Sequence, residues 1–184
     1  MCIRDRIKKG ALLLNTSRGE VIETNALKKA LSEGWLKGAV IDVWENEPDI
    51  DTGLLSLVNT ATPHIAGYST DGKANGTSKI VNSLCEFFKL PLKDWYPPDV
   101  PAPSSPVITI ECAGKTDEDI IREAVFHSYD ISIDDSDLRS DPSMFEKLRG
   151  DYSIRREFPA YSIKLVSGTD HVSGILKSMG FKIL

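Results

Sequence analysis

At 184 residues the chain is long enough for one ordinary domain or two small ones, and an apolar share of 41% allows a packed core. A net charge of -5, with basic residues scattered among more numerous acids, leaves no basic patch for a phosphate backbone and argues against nucleic acid as a partner. No segment is long and apolar enough to span a bilayer, and the three separated cysteines (Cys2, Cys85, Cys112) form neither a disulfide framework nor a zinc set, so a cytoplasmic protein without membrane or metal partners is expected.

The opening "MCIRDR" fits no element and reads as a non-native start, while "IKKGALLLN" reads as a helix end running into a strand, so the chain is expected to begin mid-domain. "GALLLNTS" is a short apolar run between turn residues, as in a central parallel strand buried on both faces. Thr24 or Asn25 can cap a helix whose Leu27, Ala30 and Leu31 share a face and which Gly34 ends. "KGAVIDVW" reads as the next strand, and a further short strand leads into "TPHIAG". Strand, helix and strand at this spacing imply a parallel, doubly wound α/β arrangement, whose ligands bind beyond the carboxyl ends of the strands.

From Ser69 a helix is expected through "KIVNSLCEFFKL", with Ile80, Leu84, Phe87 and Phe88 as a packing stripe. Prolines crowd residues 91–106, which reads as a linker. Beyond it the expected order is a strand at "VITIEC", helices at "DEDIIREAVFHSY" and "PSMFEKLRGDY", a strand at "YSIKLVS", a helix at "DHVSGILKSMG" and a closing strand at "FKIL". The expected division is therefore a partial first domain over residues 1–90, the linker, and a small α/β domain over 107–184. Two apolar helix stripes in that domain, Ile120, Ile121, Ala124, Val125 and Val172, Ile175, Leu176, Met179, offer more surface than a thin sheet needs, which would suit pairing of two chains.

Three ionisable side chains stand at or just beyond expected strand ends: Arg18 in "NTSRGE", Glu47 in "DVWENEP" and His64 in "TPHIAG". Alone, each has an ordinary reading as a surface charge, a solvated turn or a structural histidine. Together, at consecutive strand ends of an open α/β sheet, they point to a ligand site. The stretches "NTSRGEVIETNAL", "GAVIDVWENEP" and "TPHIAG" resemble the carboxyl-terminal part of the NAD-dependent D-isomer-specific 2-hydroxyacid dehydrogenases. The resemblance implies a Rossmann-like NAD-binding domain in which Arg18 holds the substrate carboxylate, His64 is the acid/base and Glu47, rather than the nearby Glu45, orients it. It also implies that Asp42 contacts the nicotinamide end of NAD, that Gly67 lies against NAD and that Tyr68 contacts substrate.

Physical chemistry is compatible with these roles. Oxidising a secondary alcohol releases a hydroxyl proton as hydride leaves, imidazole titrates near working pH, and a carboxylate beside it fixes the tautomer. "HSYDISIDDSDLR", "FEKLRGDYSIRREF" and "LKSMGF" resemble the terminal domain of one branch of the family, which implies a small phosphorylated hydroxy acid as substrate and a homodimer paired through residues 107–184. A related dehydrogenase acting on 3-phosphoglycerate and a non-catalytic nucleotide-fold scaffold are the alternatives. The chain holds no G-x-G-x-x-G turn to cradle a pyrophosphate, so the fragment by itself is expected to be inactive. The charged run "IRRE" reads as a solvated face or a set of ion pairs, and Cys85 and Cys112 as small buried hydrophobes.

Overall fold

The computed structural model describes residues 7–184, and the reading of residues 1–6 as a non-native start lies outside them. In chain order the elements are β1 (Ala11–Asn15), α1 (Thr24–Ser32), β2 (Leu36–Ile41), α2 (Thr52–Leu55), β3 (Thr60–Ala61), α3 (Thr70–Phe87), β4 (Val107–Glu111), α4 (Asp117–Ser128), α5 (Ile131–Ser140), α6 (Phe145–Gly150), β5 (Ser162–Val166), α7 (Asp170–Ser178) and β6 (Lys182–Ile183). The chain forms two compact units that interleave along the sequence. One comprises residues up to Ala66 with Ile131–Tyr152, the other Gly67–Asp130 with Ser153–Leu184. This differs from a linear division at residues 91–106.

The first unit is built on a parallel sheet of order β1-β2-β3. β2 is its middle strand, and Leu36, Ala39 and Ile41 enter a core with Leu27, Trp44, Leu54, Leu55, Leu138 and Phe145. β1 lies at the edge of the described sheet, with Leu12 71% and Leu14 69% exposed, which corrects the expectation of a central strand buried on both faces. A continuous apolar run is compatible with either position, because only the neighbouring elements decide which face is covered. α1 is capped by neither Thr24 nor Asn25. Glu23 accepts the Asn25 and Ala26 N–H groups, and Glu45 accepts the Thr24 N–H at 2.7 Å. Acceptors on two flanking segments thus satisfy donors that a residue inside the first turn could not reach.

The outer edge of β3 is closed by α5, an element not expected from the sequence. Asp135 accepts the Ala61 N–H at 2.6 Å, and Arg139 donates to the carbonyls of Leu55 at 2.6 Å and Val58 at 3.0 Å while pairing with Asp135 at 2.9 Å. An edge strand with its donors taken by a side chain is no template for another chain.

The second unit carries a parallel sheet of order β4-β5-β6 over a core that includes Ile108, Ile110, Ile120, Ala124, Ile163, Val172, Leu176 and Phe181. Ile120, Ala124, Val172 and Leu176 are thus spent inside the unit, and Ile121 and Met179 pack against the same core. That removes most of the surplus apolar surface read from the two stripes. α3 departs from expectation in the opposite direction: Ile80 is 64%, Leu84 50%, Phe87 78% and Phe88 62% exposed. The helix buries a face of small residues, Ala74, Ser78 and Cys85, so the large stripe is not a packing stripe within this unit. The proline-rich segment carries neither helix nor strand, and Asn82 of α3 brackets Trp95 by bonding both its N–H and its carbonyl.

Asp71 in the first turn of α3 receives Arg156 through two bonds, at 2.8 and 2.9 Å, and the Glu157 N–H at 2.8 Å. The guanidinium bonds hold the Asp71 carboxyl below its ordinary range and push Arg156 up. A carboxyl depressed by folding contributes stability that is present above its unfolded value, near 4, and is lost as pH falls through its lower folded value. Asp71→Asn should therefore destabilise the chain by about 2 kcal/mol at neutral pH, the scale of hydrogen bonds to a charged group. In urea titrations the gap from wild type should close as pH drops below the ordinary aspartate range.

Candidate active site

The carboxyl ends of β1, β2 and β3 continue into three loops that the chain ties together. Asp42 N–H donates to the Asn15 carbonyl at 3.0 Å and Thr62 N–H to the Ile41 carbonyl at 3.0 Å, so the ladder runs on past the strands. In the first loop Asn15 is buried. Its side chain accepts from the Ser17 N–H and hydroxyl and donates to the Arg18 carbonyl at 3.1 Å, which folds the turn that presents Arg18. Gly19 follows because of space: a Cβ there would lie 2.1 Å from the carbonyl carbon and oxygen of Trp44. The Arg18 loop is therefore pressed against the loop after β2.

Glu47 and His64 meet. Glu47 Oε2 lies 2.7 Å from His64 Nδ1, and Glu47 Oε1 accepts the Trp44 N–H at 2.8 Å. The pair is partly shielded, with side-chain exposures of 18% for Glu47 and 26% for His64. With Nδ1 bonded to the carboxylate, Nε2 is the ring nitrogen left to exchange a proton with a ligand. Glu45 is directed instead to α1, as its bond to Thr24 requires. His64 adopts φ 57°, in the left-handed region. A non-glycine residue there costs about 1–3 kcal/mol, and surrounding bonds have to offset it.

Asp42 supplies those bonds. It is 3% exposed, and its carboxylate accepts the Thr62 hydroxyl at 2.7 Å, the Ile65 N–H at 2.8 Å and the Ala66 N–H at 3.1 Å, while its carbonyl accepts the His64 N–H at 2.7 Å. Trp44 is buried, and its Nε1–H donates to the Thr62 carbonyl at 3.0 Å. Arg18 is exposed, with Nη1 donating to the Ser17 carbonyl at 2.7 Å; no hydrogen bond joins it to Glu47 or His64 among the described residues. Gly67 and Tyr68 belong to the second unit, where Lys73 Nζ stands 4.4 Å from the centre of the Tyr68 ring. A Cβ on Gly67 would meet nothing within 4 Å, so its backbone face is open to a ligand. Cys85 and Cys112 are free and buried, and His171 stands 3.7 Å from Asp117 on the surface.

Residues 5–66 match the model of the D-isomer specific 2-hydroxyacid dehydrogenase, NAD binding domain, a span that contains Arg18, Asp42, Glu47 and His64. This segment is similar to the NAD-binding domain of that family. Residues 102–180 match a second model, described as a domain of unknown function. The chain is 50% identical over 157 residues to an erythronate-4-phosphate dehydrogenase of Bacteroides fragilis, covering 85% of this chain and 42% of the relative. It is 38% identical over 179 residues to an erythronate-4-phosphate dehydrogenase of Porphyromonas gingivalis, covering 97% of this chain and 47% of the relative. The chain thus spans less than half the length of these relatives. Among solved structures, an NAD-dependent formate dehydrogenase from Staphylococcus aureus in complex with NAD is 27% identical, with a TM-score of 0.37, over 50% of this chain and 29% of that one.

The residues of this segment that sequence reading passed over are Trp44 and Thr62. The signal lay in their adjacency to the motif residues, since each sits inside a quoted stretch, but their bonds join positions 18 residues apart or more. The contact at Gly19 gives a direct test of loop packing. Gly19→Ala should lower stability by about 2 kcal/mol, within the usual range for overpacking against backbone. Thermal unfolding monitored by Trp fluorescence checks it, and an unchanged midpoint would mean that the two loops do not touch.

Proposed function

We propose that the chain is the carboxyl-terminal part of an NAD-dependent dehydrogenase that oxidises 4-phospho-D-erythronate to its 2-oxo acid, a step in the synthesis of pyridoxal 5′-phosphate by a cytoplasmic protein. The observation that carries this reading is the Glu47–His64 pair at 2.7 Å, in a chain whose curated relatives are named erythronate-4-phosphate dehydrogenase. NAD, when bound, supplies the acceptor for the hydride that leaves C2 of the substrate. The chain's part is to manage the proton. Nδ1–H of His64 donates to Glu47, which leaves Nε2 with a free lone pair; Nε2 takes the proton of the C2 hydroxyl as the C2–O bond becomes a carbonyl, and Glu47 stabilises the imidazolium that results. Arg18, a planar donor free of an ion pair among the described residues, would hold the substrate carboxylate in a bidentate bond.

Asp42 is assigned to the nicotinamide end of NAD, Gly67 to a contact with NAD and Tyr68 to the substrate, in line with the family resemblance and with the open backbone face of Gly67. A homodimer through residues 107–184 is part of the same reading. It draws support from the resemblance of that region and from Val107 and Phe126, which are exposed in the second unit. Light scattering at micromolar concentration should give twice the mass of one chain, and a monomer would remove the pairing role.

The activity is tested by placing residues 7–184 in a hybrid with the remaining portion of the Bacteroides fragilis relative and following NADH formation. Turnover on 4-phosphoerythronate is expected; turnover on 3-phosphoglycerate alone would reassign the substrate, and none on either would overturn the reading. In the hybrid, His64→Ala should lower kcat by roughly a hundredfold to ten-thousandfold, the range for loss of a general acid/base, with little change in NAD binding.

A further inference from the structure

From His64 to Ala66 each backbone N–H donates to one residue, Asp42. Pro63 has no N–H. The next three donors are taken in order by Asp42: His64 N–H by its carbonyl at 2.7 Å, Ile65 N–H by Oδ1 at 2.8 Å and Ala66 N–H by Oδ2 at 3.1 Å. The carboxylate can only accept, so the buried Thr62 hydroxyl, 2.7 Å from Oδ1, must donate to it. Thr62 is in turn fixed from its other side, because its carbonyl receives Trp44 Nε1–H at 3.0 Å. Trp44 N–H bonds the same Glu47 whose second oxygen meets His64. The path closes on itself: Asp42, Thr62, Trp44, Glu47, His64 and back to Asp42.

We propose that Thr62 is a positioning residue for the acid/base pair: its hydroxyl and the Asp42 carboxylate together lock the left-handed backbone of His64, so that the imidazole keeps Nδ1 on Glu47 and Nε2 free. The inference rests on the function proposed above and deepens it. Three features set this arrangement apart from ordinary donor satisfaction. The residue being held has an unfavourable φ, the Thr62 and Ile65 bonds to Asp42 are buried and so little competed for by water, and the ring and the backbone of His64 are anchored on the same closed path. A small rotation of the His64 backbone would swing the imidazole off Glu47, and displacements of about 1 Å at a reacting group can cost about a hundredfold in rate.

Thr62→Val keeps the shape and removes the donor, and Thr62→Ser restores it. In the 184-residue chain, Thr62→Val should raise amide exchange at Ile65 and Ala66 by about tenfold or more, the scale of one hydrogen bond to a charged group, while the Ala39 and Ile41 amides of β2 hold. The imidazole nitrogen chemical shifts of His64 should change with it, and Thr62→Ser should return both to wild type. In the hybrid enzyme Thr62→Val should lower kcat about tenfold to a hundredfold, and Thr62→Ser should recover it. A Thr62→Val chain that loses thermal stability yet keeps the His64 shifts and the exchange pattern would overturn the proposal. In the unmodified chain, through-hydrogen-bond couplings from the Ile65 and Ala66 amide nitrogens to Asp42 Cγ should be seen; their absence would also overturn it, whether or not Thr62→Val folds. A hybrid without turnover would sink the proposed function and leave these resonance measurements to decide the clamp separately.

Discussion

The buried carboxylate of Asp42 is the interaction on which the geometry of the site depends. A carboxylate held away from water is tolerated only when it is hydrogen-bonded, and here three donors reach it, all drawn from the segment that carries His64. The requirement runs both ways. Asp42 needs these donors, and the chain turning at Pro63 and His64 needs an acceptor for amides that no strand or helix can satisfy. The loop after β3 is consequently shaped by the end of β2, and the Glu47–His64 pair sits on that joint rather than on a free loop.

Stability and site geometry are linked through the sheet. β2 occupies its middle, so the strand that delivers Asp42 and leads to Glu47 is held on both sides. The β3 side would be weak, since that strand has only two residues, and α5 closes it through Asp135 and Arg139. Residues 131–152, distant in sequence from the motifs, thereby belong to the unit that holds them, and Leu138 and Phe145 are fully buried in its core. Removing the tail as one block would strip the first sheet of an edge as well as any pairing surface.

Much of this was legible in the sequence. Periodicity and punctuation located the strands at 10–17, 107–112 and 161–167 and the helices ending near Gly34 and Gly180, because those signals are local. Glu47, rather than Glu45, was selected by resemblance, and the structure places it on His64. The misread elements share a physical cause: the deciding partner lies far away in sequence. α5 is rich in serine and aspartate, poor helix formers, and is held by bonds to Ala61, Leu55 and Val58 that no local pattern announces. The α3 stripe has the periodicity of a packing face, but periodicity states which residues share a side of a helix and not whether anything covers them.

The contrast between Glu45 and Glu47 shows how little separates a carboxylate that caps a helix from one that meets a histidine. Two residues apart, they share a side-chain type and a loop. Between them Asn46 takes φ 61°, a conformation that asparagine tolerates better than most residues, and the chain reverses there. One carboxylate then serves the first turn of α1 and the other serves Trp44 and the imidazole. If the turn at Asn46 opened, Glu47 would lose its N–H donor and its histidine together, since both contacts depend on the carboxylate folding back across the loop. The conformation of Asn46, the residue before Glu47, thus decides whether His64 has a carboxylate partner, and the clamp at Asp42 fixes the other partner to meet it.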